Sequence, residues 1–115
     1  MGCLTTHVLD TARGVPGAGI DIVLYRMGNG REEVSRTVTN ADGRTDAPLL
    51  DEAGFRPGCY ELVFSVGTYF AAAGLAAAAS PFLGEVVIRV NLADDTHYHV
   101  PLLTSPWSYS TYRGS

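Results

Sequence analysis

From residue 20 to residue 39 the chain reads IDIVLYRMGNGREEVSRTVT. Ile20, Ile22 and Leu24 fall on every second position, which gives an extended segment one apolar face. Gly28-Asn29-Gly30 is a hairpin signal. Val34 to Thr39 returns as the second strand. A two-residue period on either side of a glycine turn is the mark of an antiparallel β-structure, and the rest of the chain repeats it.

Upstream, Leu4 to Leu9 is rich in β-branched residues, and Gly14, Pro16, Gly17 and Gly19 make Thr11 to Gly19 a turn region. Downstream, Asn40-Ala41-Asp42-Gly43 turns again. Tyr60, Leu62, Phe64 and Val66 form one face of a further strand, and Val86, Ile88, Val90 and Leu92 form another, ended by Asn91 to Asp95. His97 to Leu103 and Trp107 to Tyr112 are the last two strands, separated by Ser105-Pro106. Only Thr68 to Ala79 reads as helix, because alanine is the best helix former. Gly74 is its weak point, and Ser80-Pro81 ends it. Short strands with turn signals every eight to twelve residues, plus one short helix, predict an all-β sandwich.

The length of 115 residues fits a single domain spanning 1–115, large enough to bury one core without staples. Eight arginines, no lysine and twelve acidic residues leave a net charge of -4. An acidic surface argues against nucleic acid and against an anionic membrane as partners. No apolar run is long enough to span a bilayer, and no basic stretch followed by an apolar one marks a secretion signal. Met-Gly-Cys-Leu-Thr-Thr satisfies the loose myristoylation pattern, but Leu4 already begins a strand that a lipid would disturb. Cys3 and Cys59 are too few for a disulfide framework and read as reduced thiols. The last residues do not match the Ser-Lys-Leu peroxisomal signal. The expected location is the cytoplasm.

Residues 105–115, SPWSYSTYRGS, keep an aromatic at every second or third step: Trp107, Tyr109 and Tyr112. Chain ends normally drift toward small, unpatterned residues, so this segment is expected to be docked. It also places the Arg113 guanidinium and the Ser115 hydroxyl within a short reach, suited to a polar small molecule.

The titrating candidates are His7, His97 and His99, with Arg44 leaving the Asp42-Gly43 turn. Strand parity puts His97 and His99 on one face, and Thr5, His7 and Leu9 on one face of their own strand. Imidazole exchanges protons near neutral pH, and a fixed guanidinium stabilises an oxyanion. Arg44 could instead pair with Asp42 or Asp46 on the surface, which is worth little. The three histidines could also form a hydrolytic zinc site. No Cys-His nucleophile signature and no phosphate-cradling glycine loop is present.

HVLD at His7 to Asp10, ADGRTD at Ala41 to Asp46, HYHVPLL at His97 to Leu103 and YRGS at Tyr112 to Ser115 together resemble the 5-hydroxyisourate hydrolase family. These are the transthyretin-like enzymes of purine catabolism, and the resemblance covers essentially the whole chain. It implies a sandwich of two four-stranded sheets with one short helix, assembled as a homotetramer, a dimer of dimers. It implies hydrolysis of 5-hydroxyisourate, a small purine-derived substrate, to 2-oxo-4-hydroxy-4-carboxy-5-ureidoimidazoline, with no metal and no cofactor. Carried over residue by residue, it makes His7, Arg44 and His99 catalytic and Tyr112 and Ser115 substrate-binding. His99 with His7 would orient and deprotonate the water, and Arg44 would stabilise the developing charge. His97 is left out of direct contact. The competing readings are a ligand carrier without catalysis, the zinc hydrolase, and an adhesive sandwich module.

Overall fold

The computed structural model describes residues 1–115. Its strands are β1 (Cys3–Asp10), β2 (Val15–Pro16), β3 (Asp21–Met27), β4 (Arg31–Val38), β5 (Gly58–Phe64), β6 (Val86–Leu92), β7 (His97–Thr104) and β8 (Tyr109–Thr111). One helix, α1 (Val66–Ala72), lies between β5 and β6. The strands form two four-stranded sheets, in the orders β2-β1-β7-β8 and β4-β3-β5-β6. This is the expected sandwich.

The segment 20–39 forms the β3–β4 hairpin, antiparallel, with a register shift between Leu24 and Tyr25. The apolar positions read from sequence are the ones that meet in the core, although β3 and β5 bury the intervening Val23, Glu61 and Val63 as well. Ile22, Leu24, Leu62, Phe64 and Ile88 from one sheet meet Leu4, Val8, Tyr98, Val100 and Leu102 from the other in one buried cluster. Fully burying such a side chain contributes roughly 1.5–3 kcal/mol.

One pairing decides where the site lies. β1 and β7 are neighbours and run parallel, although the other strand pairs are antiparallel. Their register sets Thr5 opposite His99, Cys3 opposite His97 and His7 opposite Pro101. Leu4, Thr6 and Val8 point into the core. Cys3, Thr5 and His7 therefore point outward, on the same outer face as His97 and His99.

The end of β1 is tied down by Asp10, whose side chain is wholly buried. It accepts hydrogen bonds from the backbone N–H groups of Ala12 and Arg13, from Arg13 Nε at 3.0 Å and from the Tyr69 hydroxyl at 2.7 Å. Burial pushes this carboxyl up, but the Tyr69 and Arg13 hydrogen bonds outweigh it and hold it below the ordinary carboxylate value.

Two local expectations need correction. The helix runs over Val66–Ala72, not Thr68 to Ala79. Gly74 takes φ 75°, its N–H bonds to the Ala71 carbonyl and the Leu75 N–H bonds back to the Phe70 carbonyl. That is a Schellman stop, and the alanines beyond it lie past the turn. Val66, Gly67 and Phe70 are the buried residues of the helix; alanine propensity alone supplies no such face. The segment after Pro106 is docked through its backbone rather than its rings. β8 is only three residues long and pairs with β7, whereas Trp107, Tyr109 and Tyr112 are 68%, 46% and 61% exposed.

Candidate active site

The loop after β4 brings Arg44 beside β1. Asn40 Oδ1 accepts the N–H groups of Asp42 and Arg44, at 2.9 and 3.1 Å, which closes the turn. The turn then joins β1 through Val8 N–H to the Gly43 carbonyl at 2.8 Å and a bridge between His7 and Arg44. Gly43 is needed for two reasons. Its φ is 75°, which side chains other than glycine rarely adopt. A Cβ there would also run into the Val8 carbonyl.

His7 holds the same turn from the other side. Its Nε2 lies 3.0 Å from the Asp42 carbonyl. A carbonyl only accepts, so this nitrogen carries a proton and donates it.

The tail closes the site. Gly114 N–H donates to the His99 carbonyl at 2.8 Å, which lays the backbone of Gly114 against the imidazole. A Cβ on Gly114 would lie 2.6 Å from His99 Cδ2. Between loop, strands and tail opens a cleft of about 440 Å³, lined by Thr5, Arg44, Asp46, His97, His99 and Ser115 among others.

His99 is half-buried. Burial, then the positive charge of Arg44, then His7 and His97, push its pKa below the ordinary histidine value. Each of these favours the neutral ring. Its Nδ1 lies 2.8 Å from the Thr5 hydroxyl, and His97 Nε2 lies 2.9 Å from the same oxygen. Arg44 takes part in no ion pair: the four salt bridges belong to Arg13, Arg31, Arg36 and Arg89. Neither Asp42 nor Asp46, the alternative partners read from sequence, pairs with it, and Asp46 is held by Asn40 Nδ2 at 3.0 Å. A guanidinium with no carboxylate of its own is left facing the cleft.

Of the five site residues expected from sequence, the structure brings Arg44, His99 and Ser115 to one cleft. His7 stands next to it and grips the Arg44 turn. Tyr112 lines a separate depression of about 440 Å³ with Arg113, Ile88 and Asp94, and Arg113 stacks over the Tyr98 ring, 4.4 Å from its centre. His97, set aside at the sequence level, lines the cleft. Thr5 is the addition. Its place on one face of β1 with His7 was legible, but only the parallel register puts it between two imidazoles. No three His, Cys, Asp or Glu side chains gather as a metal-binding group.

A neutral imidazole with an unpaired guanidinium in a polar cleft suits addition of water to a carbonyl. The base takes the proton, and the cation meets the charge that forms on oxygen.

Comparison with known proteins points the same way. The model of the HIUase/Transthyretin family matches residues 4–114. A 5-hydroxyisourate hydrolase of Pseudomonas aeruginosa is 56% identical, over 100% of this chain and 93% of its own. The solved structure of a Klebsiella pneumoniae 5-hydroxyisourate hydrolase superposes with a TM-score of 0.84 at 36% identity, over 100% of both chains. That of an (S)-allantoin synthase gives a TM-score of 0.91 at 44% identity over 99% of this chain, which spans only 44% of that longer protein.

Proposed function

The chain belongs to the HIUase/Transthyretin family, and on that premise we propose how it hydrolyses 5-hydroxyisourate. The substrate ring occupies the cleft between His99 and Arg44, with the Ser115 hydroxyl on its polar edge. His99 Nε2 takes a proton from water, and the water oxygen adds to a ring carbonyl. Arg44 stabilises the charge that builds on the carbonyl oxygen. The ring C–N bond then breaks, and His99 returns its proton to the departing nitrogen. One water is consumed, and the six-membered ring opens to 2-oxo-4-hydroxy-4-carboxy-5-ureidoimidazoline.

His7 serves this chemistry by holding the Asp42 carbonyl and hence the Arg44 turn. On this reading the reaction runs without a metal or a cofactor. His97 and His99 converge on the Thr5 hydroxyl, and no third ligand joins them. Both cysteines are free, which fits a reducing cytoplasm, and no helix is long and apolar enough to cross a membrane. The exposed rings of Trp107, Tyr109 and Tyr112 supply apolar surface for a second copy, in keeping with a homotetramer. Because Tyr112 lines a different depression from that of His99 and Arg44, a substrate contact from it would have to be made across subunits.

The observation that carries the reading is a half-buried His99 sharing one cleft with a guanidinium that has no carboxylate partner. Its test is Arg44→Gln. The expected result is a fall in kcat of about 10²-fold or more with an unchanged melting temperature. Full activity in this variant would remove Arg44 from the mechanism. Light scattering checks the assembly: an active monomer would contradict the tetramer.

A further inference from the structure

The mechanism leaves one hydroxyl unexplained. Thr5 Oγ1 stands 2.8 Å from His99 Nδ1 and 2.9 Å from His97 Nε2. It has one proton and can donate to only one of the two rings. Which ring receives it decides where the His99 proton sits, and so whether His99 can act as a base toward the cleft. In a neutral imidazole one nitrogen carries the proton and the other a lone pair, and the hydrogen bond made by one sets the state of the other.

We propose that Thr5 is a positioning residue: its hydroxyl accepts the Nδ1–H of His99 and donates to Nε2 of His97, which leaves the His99 Nε2 lone pair free for water. The inference rests on the reading that His99 is the base. Three observations carry it. His99 Nε2 has no hydrogen-bond partner in the protein, so it is the nitrogen left for the cleft. Arg44 shares that cleft without an anionic partner, and its positive field favours a lone pair over an N–H on the ring it faces. His97 is exposed, and its Nε2 lies within hydrogen-bond distance of the Thr5 hydroxyl, so it offers that proton an acceptor. The opposite arrangement has Thr5 donating to His99 Nδ1. It would place an N–H toward Arg44 and leave the base without a lone pair.

The arrangement also supports the charged intermediate. Once His99 has taken the proton from water, its Nδ1–H still donates to the Thr5 oxygen, so the imidazolium keeps an acceptor. The groups facing His99 are Arg44 from the loop, His7 and Thr5 from β1, His97 from β7 and Ser115 from the tail. Asp46 lines the same cleft.

The test uses the full-length protein and two variants. Thr5→Val keeps the β-branched shape and removes the hydroxyl. Thr5→Ser restores it. Nitrogen-15 NMR of the resting native protein is expected to show His99 protonated on Nδ1. In Thr5→Val that preference is expected to be lost, with kcat down about 10²-fold, the low end of what a positioned base supplies, and KM within about threefold. Thr5→Ser is expected to recover both the tautomer and the rate. A native His99 protonated on Nε2, a Thr5→Val enzyme with native kcat, or a Thr5→Ser enzyme as impaired as Thr5→Val would each overturn the assignment. The NMR result in the native protein decides the matter even if Thr5→Val does not fold. If the native protein failed to turn over 5-hydroxyisourate, the catalytic reading would fall, while the tautomer measurement would still judge Thr5.

Discussion

Gly114→Ala adds one carbon to the chain, and the structure says where it goes. The new Cβ would lie 2.6 Å from His99 Cδ2, 3.2 Å from Cγ and 3.3 Å from Cβ. Carbon atoms rest at about 3.5–4.0 Å, so the tail or the imidazole must move by roughly 1 Å. Neither movement is free. The ring is held on its far side by Thr5 at Nδ1. The tail is held by Gly114 N–H on the His99 carbonyl. If the ring moves, the base leaves its water; if the tail moves, Ser115 leaves the cleft. A displacement of this size in a positioned group costs about 10²-fold in rate, or roughly 2.7 kcal/mol of transition-state stabilisation. Stability is expected to change little, because one bridge at the end of the chain is all that is disturbed. The assay is the ultraviolet decay of freshly made 5-hydroxyisourate, with a melting curve alongside. Gly28→Ala is the control, since nothing lies within 4 Å of a Cβ there. Activity within about threefold of native in Gly114→Ala, where the expected loss is about 10²-fold, would refute the claim that the tail is fitted against His99.

The remaining expectations concern the histidines, pH and the fold. His99→Ala is expected to lower kcat by ~10²–10⁴-fold as a lost base, and His7→Ala by about 10²-fold through a displaced Arg44. His97→Ala should do much less; if it is the most damaging of the three, the roles within HYH are reversed. Because burial and Arg44 lower the His99 pKa, the base stays neutral as pH falls below about 6.5, the ordinary histidine value. The acid limb of kcat/KM should therefore lie below that pH, and a limb above it would contradict the site's electrostatics. Asp10→Ala is expected to cost roughly 3 kcal/mol of stability at pH 7 by removing a buried acceptor of four hydrogen bonds, read as a shifted denaturant midpoint. Since Asp10's folded pKa is lowered, its contribution is present above the unfolded value near 3.9 and is lost as pH falls through the folded one. The gap between native and variant should therefore narrow in acid.

What could be read from sequence, and what could not, divides along physical lines. A period-two apolar pattern is local, so the core-facing positions of β3, β5 and β6 and the shared faces within β1 and β7 were legible, as was Ser105-Pro106 as a break. Strand partnership is not local. Nothing in LTTHVLD or HYHVPLL says that these segments lie side by side and parallel, and Thr5 lies between two imidazoles only for that reason. The helix was misjudged because alanine propensity spoke for residues 76–79, whereas a glycine at φ 75° had already turned the chain at residue 74. The aromatic run at 107–112 signalled a docked segment correctly, but the docking is by backbone hydrogen bonds to β7, and the rings face outward. Arg44 was ambiguous between a surface ion pair and an oxyanion group. In the structure Arg44 makes no ion pair and Asp46 is hydrogen-bonded by Asn40 instead, and a partner's partner is not visible in a string of residues.

The proposed mechanism has His99 and Arg44 open the ring of 5-hydroxyisourate at this cleft. The most direct measurement mixes freshly generated 5-hydroxyisourate with the purified protein and, in parallel, with His99→Ala of equal concentration and melting temperature. The ultraviolet absorbance of the substrate is followed in both. Decay far faster than the spontaneous rate is expected with the native protein, and a rate close to spontaneous with the variant. Native protein that leaves the spontaneous rate unchanged, or a His99→Ala variant as fast as native, would contradict the proposed mechanism.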